Sequence, residues 1–278
     1  AQEHPPGDRG TDRFRLEGRA MSEGGPPGDD SWGIVIQARL GSTRLPRKML
    51  AEVHQGRSLI DVMLGKIVDS FSAARVVLAT TIDPADDDLE PVAARYGVSV
   101  FRGSVANVLE RFLGAADLRG WTRLVRVCGD NPFLLPGAIQ PLVEVGRRLG
   151  ADYVGYRFRD GTWSILSHGG LFAEFVSCEA LREVARVAED PAAFEHVTNY
   201  VYTHPERFRL ASIDVPEESL IAGWRLTVDT EADLAAVRTV ASGCGGEFPM
   251  TIGQIAESIG RHPHLEAAMQ ASIARNKK

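Results

Sequence analysis

Cations, hydroxyls and a glycine are concentrated in one short segment, residues 37–50. Four of its residues carry positive charge: Arg39, Arg44, Arg47 and Lys48. Gly41 lets the backbone approach an anion closely, and Ser42 and Thr43 add hydroxyl and amide donors. This combination suits a triphosphate, although its order of glycine, lysine and hydroxyl differs from that of a Walker loop. The alternative is a solvated basic turn that caps a helix.

The flanking pattern predicts how this segment is positioned. An apolar strand is predicted just before it, at residues 33–38, and a helix after it, where apolar residues recur at helical spacing from Leu59 to Ile67. The alternation continues, with strands predicted at residues 75–80, 98–101 and 124–127 and helices at residues 86–96, 105–118 and 136–149. It favours a mostly parallel sheet with helices on both faces. The basic segment then lies at the carboxyl edge of the sheet, where open α/β folds bind ligands.

The rest of the chain is less regular. Strands are predicted at residues 152–156, 171–176, 208–215 and 224–228. Helices are predicted from residue 177, at residues 192–203 and 231–241, and as one or two helices within residues 252–274. Residues 1–32 are rich in Gly, Pro and charged residues, so we expect a disordered leader followed by one folded domain, residues 33–278.

Composition limits the classes of function. The 278 residues include 44% hydrophobic residues, enough to bury a core, and no apolar run is long enough to cross a bilayer. We therefore expect a cytoplasmic protein without membrane contact. The net charge of −6 argues against a nucleic-acid partner. Three cysteines at irregular spacing fit neither a disulfide framework nor a metal knuckle.

Residues 38–48 read Ala-Arg-Leu-Gly-Ser-Thr-Arg-Leu-Pro-Arg-Lys. This stretch resembles the signature loop of the cytidylyltransferases that activate 3-deoxy-octulosonate and sialic-type sugars, and is most similar to the spore-coat polysaccharide branch of SpsF type. The resemblance implies a Rossmann-like, glycosyltransferase-A-like fold whose loop grips the triphosphate. It implies two sets of roles: nucleotide binding by Ala38, Leu40, Gly41 and Ser42, and catalysis by Arg39, Arg44 and Lys48. Glycine is usual in the family where this chain has Arg47.

Two further segments, residues 79–88 and 101–109, are similar to family segments that border the nucleoside. The resemblance implies base or ribose contacts for four residues: Thr80, Thr81, Arg102 and Gly103. Without the resemblance, the sequence of these two segments indicates turns that precede helices, with Asp83 and Ser104 as the helix caps.

Residues 126–132 resemble the family's fourth strand end, which places Asp130 beside the phosphates as a nucleotide contact and as the first Mg²⁺ ligand. Residues 224–230 match a late family strand and imply Asp229 as the second. Carboxylates are the hard oxygen ligands that Mg²⁺ prefers. Without the resemblance, a lone aspartate before a helix indicates a helix cap. The spacing of Asp130 and Asp229 in the sequence does not show that they are adjacent.

The region around residues 152–215 is expected to form the acceptor site and a homodimer contact. Family motifs imply acceptor binding by Glu174, Glu195 and His196, although a histidine on an apolar helical face is otherwise a packed core residue. The family commonly has Asp where this chain has Leu135 and Phe172. A pocket that loses polar partners discriminates against the usual substrate, so the acceptor is expected to differ from a standard sugar acid.

The resemblance implies an Mg²⁺-dependent transfer of CMP from CTP to a small-molecule acceptor. Two alternatives stay open. One is a sugar-phosphate nucleotidyltransferase that uses another nucleoside triphosphate. The other is a non-catalytic nucleotide-binding paralogue, which the changes at Arg47, Leu135 and Phe172 allow.

Overall fold

The computed structural model describes residues 14–18, 31–221 and 223–275. Its strands are β1 (Phe14–Gly18), β2 (Trp32–Gln37), β3 (Glu52–His54), β4 (Arg57–Ser58), β5 (Val76–Thr81), β6 (Ser99–Gly103), β7 (Arg123–Cys128), β8 (Tyr153–Arg157), β9 (Glu174–Ser177) and β10 (Arg209–Asp214). Its helices are α1 (Leu59–Ser70), α2 (Leu89–Arg95), α3 (Val108–Arg119), α4 (Ile139–Leu149), α5 (Cys178–Val187), α6 (Pro191–Glu195), α7 (Asn199–Thr203), α8 (Glu218–Ile221), α9 (Glu231–Gly243), α10 (Ile252–Gly260) and α11 (Pro263–Arg275).

The described residues form an eight-stranded sheet in the order β1-β10-β8-β9-β7-β2-β5-β6. Strands β7, β2, β5 and β6 are parallel neighbours, as are β10 and β8, whereas β9 and β1 run against their neighbours. From β2 the chain builds first toward β5 and β6 and later adds β7 on the other side. The order therefore reverses between β2 and β7, and the crevice outside their carboxyl ends is where such sheets bind ligands.

Helices cover both faces of the sheet, because successive strand residues point to opposite sides. Ile34 and Ile36 of β2 belong to a core that includes side chains of α1, α4, α9 and α10. Val35, between them, belongs to a second core built with α3, α5 and α7. The predicted mostly parallel, Rossmann-like α/β fold is confirmed. Among the helices that the structure describes, none has the length and apolar character to cross a bilayer.

Helix starts follow local sequence chemistry. Ser58 accepts a hydrogen bond from the Asp61 amide, and the Asp61 side chain accepts one from the Ser58 amide, which forms a capping box at α1. Thr230 and Asp233 form the same arrangement at α9. The second box fixes the turn that carries Asp229, so a structural cap also positions a predicted site residue.

Three predictions of local structure need correction. Residues 224–228 do not join the sheet, because the amides of Leu226 and Thr227 donate to the carbonyl of His168 and not to a strand. The single helix predicted at residues 192–203 is two short helices, α6 and α7. The predicted disordered leader contains strand β1, which pairs antiparallel with β10, so disorder is wrong for those five residues. It is also wrong for Trp32, the buried first residue of β2. Residues 1–13 and 19–30 of the leader lie outside the described residues.

Candidate active site

The loop after β2 is held by its own backbone. The carbonyl of Leu40 accepts hydrogen bonds from the amides of Ser42 (2.9 Å) and Arg47 (3.0 Å). Arg47 has φ 57° and ψ 23°, the left-handed conformation that glycine adopts most easily. This explains why a glycine is usual at that position. The chain keeps the turn with an arginine, whose guanidinium reaches Asp88 at 2.6 Å.

Asp86 joins this loop to the end of β5. Its carboxylate accepts hydrogen bonds from the Leu40 amide (2.6 Å) and from the hydroxyls of Thr80 (3.0 Å) and Thr81 (2.5 Å). Asp86, Thr80 and Thr81 are all at most 2% exposed. The two threonines thus support the loop from behind, and contact between their side chains and a nucleoside would require Asp86 to release them. Sequence reasoning passed over Asp86 because it read as the start of a helix.

Lys48 joins the two predicted metal ligands. Its ammonium nitrogen lies 2.8 Å from Oδ2 of Asp130 and 3.3 Å from Oδ1 of Asp229, and it donates to the carbonyl of Val228 at 2.7 Å. Burial by itself lowers the pKa of Lys48, but the two carboxylates outweigh burial and raise the pKa above the usual lysine value. The structure therefore brings together three residues that are far apart in the sequence.

A buried ion pair holds Asp229 in place. Arg225 is 1% exposed, and its guanidinium contacts Oδ1 of Asp233 at 2.7 Å and Oδ2 of Asp229 at 3.4 Å. Asp233 in turn accepts from the Asp229 amide at 3.1 Å. The Val228 amide donates to the carbonyl of Asp130 at 2.9 Å, which ties this turn to the loop after β7. Neither Arg225 nor Asp233 was among the residues predicted from the sequence.

A buried lysine that the sequence reading also missed supports the loop after β7. Lys66 of α1 is 2% exposed, and its amine donates to the carbonyls of Asn131 (3.2 Å) and Pro132 (2.7 Å). Burial holds its pKa well below the usual lysine value. The helical periodicity of α1 does not distinguish Lys66 from a surface lysine, because its two partners lie in a loop that is distant in the sequence.

The other predicted cations have different surroundings. Arg44 is half exposed and lies 3.1 Å from Oδ1 of Asp229. Arg39 is also half exposed, and its contact with Glu195 is long, at 3.9 Å. Arg102 is held by the carboxylates of Asp87 and Glu90 on the β5–β6 side. Arg44 therefore lines the cleft beside Asp229, Arg39 lies on the surface near Glu195, and Arg102 is engaged with acidic neighbours.

The other residues that were predicted to bind the nucleotide are small or apolar. Gly41 has open space where a side chain would begin, so an anion can approach its backbone. Gly103 ends β6, and its carbonyl accepts from the Ile82 amide at 2.9 Å. Ala38 and Leu40 are buried beneath the loop. Ser42 lies at its partly exposed crest.

A cleft of about 490 Å³ opens beside the two aspartates. His196 is exposed and lines this cleft, so its interpretation as a packed core residue is wrong. Phe172 also lines it, and its ring stacks on Tyr156 with centroids 4.3 Å apart. Leu135 lies near this wall, since its amide donates to the carbonyl of Leu171. Phe172 therefore gives this part of the cleft an apolar surface, whereas Leu135 packs against the hydrophobic core.

Glu174 is placed differently from the prediction. It is 2% exposed, and its carboxylate pairs with Arg126 at 2.5 Å and accepts from the hydroxyls of Tyr153 (2.9 Å) and Thr198 (2.8 Å). These partners use its hydrogen-bonding capacity below the cleft surface. Glu174 thus positions Arg126, and direct contact with an acceptor is left to the side chains that line the cleft.

The donor set around Lys48 fits a divalent cation that arrives with a nucleotide. No cluster of three or more His, Cys, Asp and Glu side chains that could hold a metal occurs in residues 31–221 and 223–275. Asp130 and Asp229 supply two converging carboxylates, and Mg²⁺ is commonly held by one or two carboxylates together with phosphate oxygens and water. Oxygen ligands from a triphosphate would complete such a site.

Comparisons with known proteins show the family of this chain. Residues 34–220 match the family model described as cytidylyltransferase. The spore coat polysaccharide biosynthesis protein SpsF of Bacillus subtilis is 29% identical, over 86% of this chain and 98% of the relative. The 3-deoxy-manno-octulosonate cytidylyltransferase of Methylococcus capsulatus is 38% identical, over 41% of this chain and 45% of the relative. A solved cytidylyltransferase from Leptospira borgpetersenii has a TM-score of 0.73 at 27% identity, over 84% of this chain and 96% of that one. The chain belongs to the cytidylyltransferase family.

Proposed function

We propose that this protein transfers CMP from CTP to a small acceptor and releases pyrophosphate. The observation that carries the proposal is the contact of Lys48 with both Asp130 and Asp229 at the point where the strand order reverses. Cations and carboxylates meet there beside a glycine-bearing loop, which is the chemistry that a triphosphate with a divalent metal requires. Membership of the family supports CTP as the donor.

In the proposed reaction an acceptor oxygen attacks the α-phosphorus of CTP in line. The bond from that phosphorus to the bridging oxygen breaks, pyrophosphate leaves, and the acceptor proton passes to solvent. Arg39, Arg44 and Lys48 would bind the triphosphate and stabilise the charge of the leaving group, because such transfers depend on positioning and electrostatics. Mg²⁺ held by Asp130 and Asp229 would neutralise phosphate charge.

The test is a panel assay of pyrophosphate release with CTP, UTP, GTP and dTTP in the presence of Mg²⁺ or EDTA. We expect release with CTP, Mg²⁺ and a sugar-type acceptor, since SpsF and the 3-deoxy-manno-octulosonate enzymes are relatives. Faster release with another triphosphate would favour a different nucleotidyltransferase. Binding of CTP without turnover across the acceptor panel would instead indicate a non-catalytic paralogue.

The proposal includes a homodimer whose contact lies within residues 152–215. Light scattering of the purified chain measures the mass in solution. A monomer of 30.2 kDa at micromolar concentration would refute this part alone and leave the chemistry unaffected.

A further inference from the structure

Three buried side-chain atoms of residues that line the cleft have no hydrogen-bond partner among the described residues: Oε1 of Gln37, Nε of Arg126 and Oδ1 of Asn131. An unsatisfied buried donor or acceptor costs about 1–3 kcal/mol, so native structures keep few of them. Three such atoms around one cleft point to a ligand that supplies the missing partners.

The sheet places two of these side chains, those of Gln37 and Arg126, side by side. In the register of β2 and β7, Val35 pairs with Arg126 and Gln37 pairs with Cys128. Strand residues two apart point to the same face, so Gln37 and Arg126 lie diagonally adjacent on one face of the sheet. This is the face where Val35 packs with α3 and α5. One small molecule at the floor of the cleft can therefore reach both.

The polarity of the two atoms restricts the ligand. Oε1 of Gln37 accepts hydrogen bonds, so the ligand must donate to it. Nε of Arg126 donates, so the ligand must also accept. A hydroxyl group does both, whereas a carboxylate or a phosphate oxygen without a proton satisfies only Arg126.

The charge balance favours the same chemistry. The guanidinium of Arg126 is already paired with Glu174 at 2.5 Å, and both side chains are buried. A second anion at the floor would therefore face a cation that is already neutralised. Hydroxyl and amide side chains together with an aromatic ring also line the cleft, and this mixture suits a sugar-like molecule: Ser164, Ser167, Thr198, Asn199 and Phe172.

We propose that Gln37 and Arg126 form the floor of the acceptor subsite and bind hydroxyl groups, so that the neutral, hydroxyl-bearing part of the acceptor lies deepest in the cleft. This inference deepens the proposed function and rests on it. Any acidic group of the acceptor then lies toward the mouth of the cleft.

The experiment is an NMR titration of the full chain, with and without CTP and Mg²⁺, using D-mannitol as a neutral polyol and malonate as an anion without hydroxyls. The variants are Gln37→Met, which removes Oε1 at similar size, and Arg126→Lys, which keeps a charge beside Glu174. Gln140→Met on the exposed surface of α4 is the matched control. Thermal unfolding of each variant confirms that it is folded.

We expect mannitol to bind more tightly than malonate and to shift the side-chain amide signal of Gln37. Gln37→Met should weaken mannitol binding about 5-fold, the scale of one neutral hydrogen bond, with Gln140→Met unchanged. Tighter binding of malonate, no binding of mannitol, or equal affinity in wild type and Gln37→Met would each overturn the inference. A failure of CTP to bind would instead count against the proposed function. Mannitol binding at Gln37 and Arg126 is measured separately, in the titration without nucleotide.

Discussion

At the scale of single residues, Lys48 connects most of the site. We expect Lys48→Ala to lower turnover about 10²-fold or more, the scale of losing one preorganised electrostatic contact. The ammonium group positions Asp130 and Asp229 and is the most enclosed cation of the loop. Pyrophosphate release at saturating CTP measures the effect. Arg186→Ala, an exposed cation on α5, is the control, and full activity of Lys48→Ala would remove the assigned role.

Arg47 offers a test of backbone strain. Its left-handed conformation disfavours a side chain by about 1 kcal/mol, and its ion pair with Asp88 is exposed on both sides and contributes little. We therefore expect Arg47→Gly to raise the free energy of unfolding by up to about 1 kcal/mol. Urea unfolding checks this. A clear loss of stability would mean that the arginine contributes more than its conformation costs.

At the scale of elements, Asp86 couples the loop after β2 to the end of β5. Asp86→Ala leaves the Leu40 amide and the hydroxyls of Thr80 and Thr81 without their acceptor, which we expect to cost about 2–4 kcal/mol of stability. CTP affinity should fall as well, because the loop loses its support. Denaturant unfolding and calorimetric CTP binding measure the two effects. Exposed Asp88→Ala should change neither by a comparable amount.

Lys66 gives the contact between α1 and the loop after β7 a pH dependence. Its pKa is lowered by burial in the folded protein, so the unfolded chain binds the proton more readily. The free energy of unfolding therefore decreases as pH falls below the lysine pKa of the unfolded chain, about 10.4. It increases again as pH rises toward that pKa.

We expect the stability of wild type relative to Lys66→Met to increase between about pH 7.5 and about pH 10. Denaturant unfolding of both proteins at the two pH values gives the difference, in which the titrations of other groups cancel. A difference that is constant or falls with pH would mean that Lys66 is charged in the folded state.

The elements show what the sequence could and could not predict. Periodicity placed the helices of residues 33–149 and their strands in the large sheet, because burial on a layered sheet imposes it, whereas the short strands β3 and β4 were not predicted. Residues 224–228 have the same apolar pattern as a strand, yet their amides bond to His168 and Asp130. Apolar periodicity records burial and not the hydrogen-bond partner. The break between α6 and α7 was not predicted, because no Gly or Pro occurs between the two helices.

The site was predictable where chemistry is local and not where it depends on tertiary contacts. The basic loop could be recognised because its four cations lie within ten consecutive residues of the chain. Asp130 and Asp229 were named by resemblance, and only the fold brings both to Lys48. Asp86, Lys66 and Arg225 support the site from within the core, and their sequence surroundings are those of ordinary helix or strand residues.

At the scale of the whole molecule, glycines set how closely helices approach the sheet. A side chain on Gly146 of α4 would overlap the ring of Phe175 in β9, whereas Gly253 of α10 has open surroundings. We expect Gly146→Ala to destabilise the protein by about 1–3 kcal/mol through overpacking. Gly253→Ala should stabilise it by about 0.5–1 kcal/mol, because alanine favours the helix. Thermal unfolding compares the two, and equal effects would contradict this account of the packing.

The contact between Lys48 and Asp229 spans 181 positions of the chain. During synthesis the basic loop leaves the ribosome long before the residues that complete its partner set. A nascent chain can therefore form β2 and β5 without possessing a nucleotide site, and the site arises only when nearly the whole domain has been made. The same dependence holds in reverse: a nucleotide that binds only the completed site stabilises the domain as a whole against unfolding.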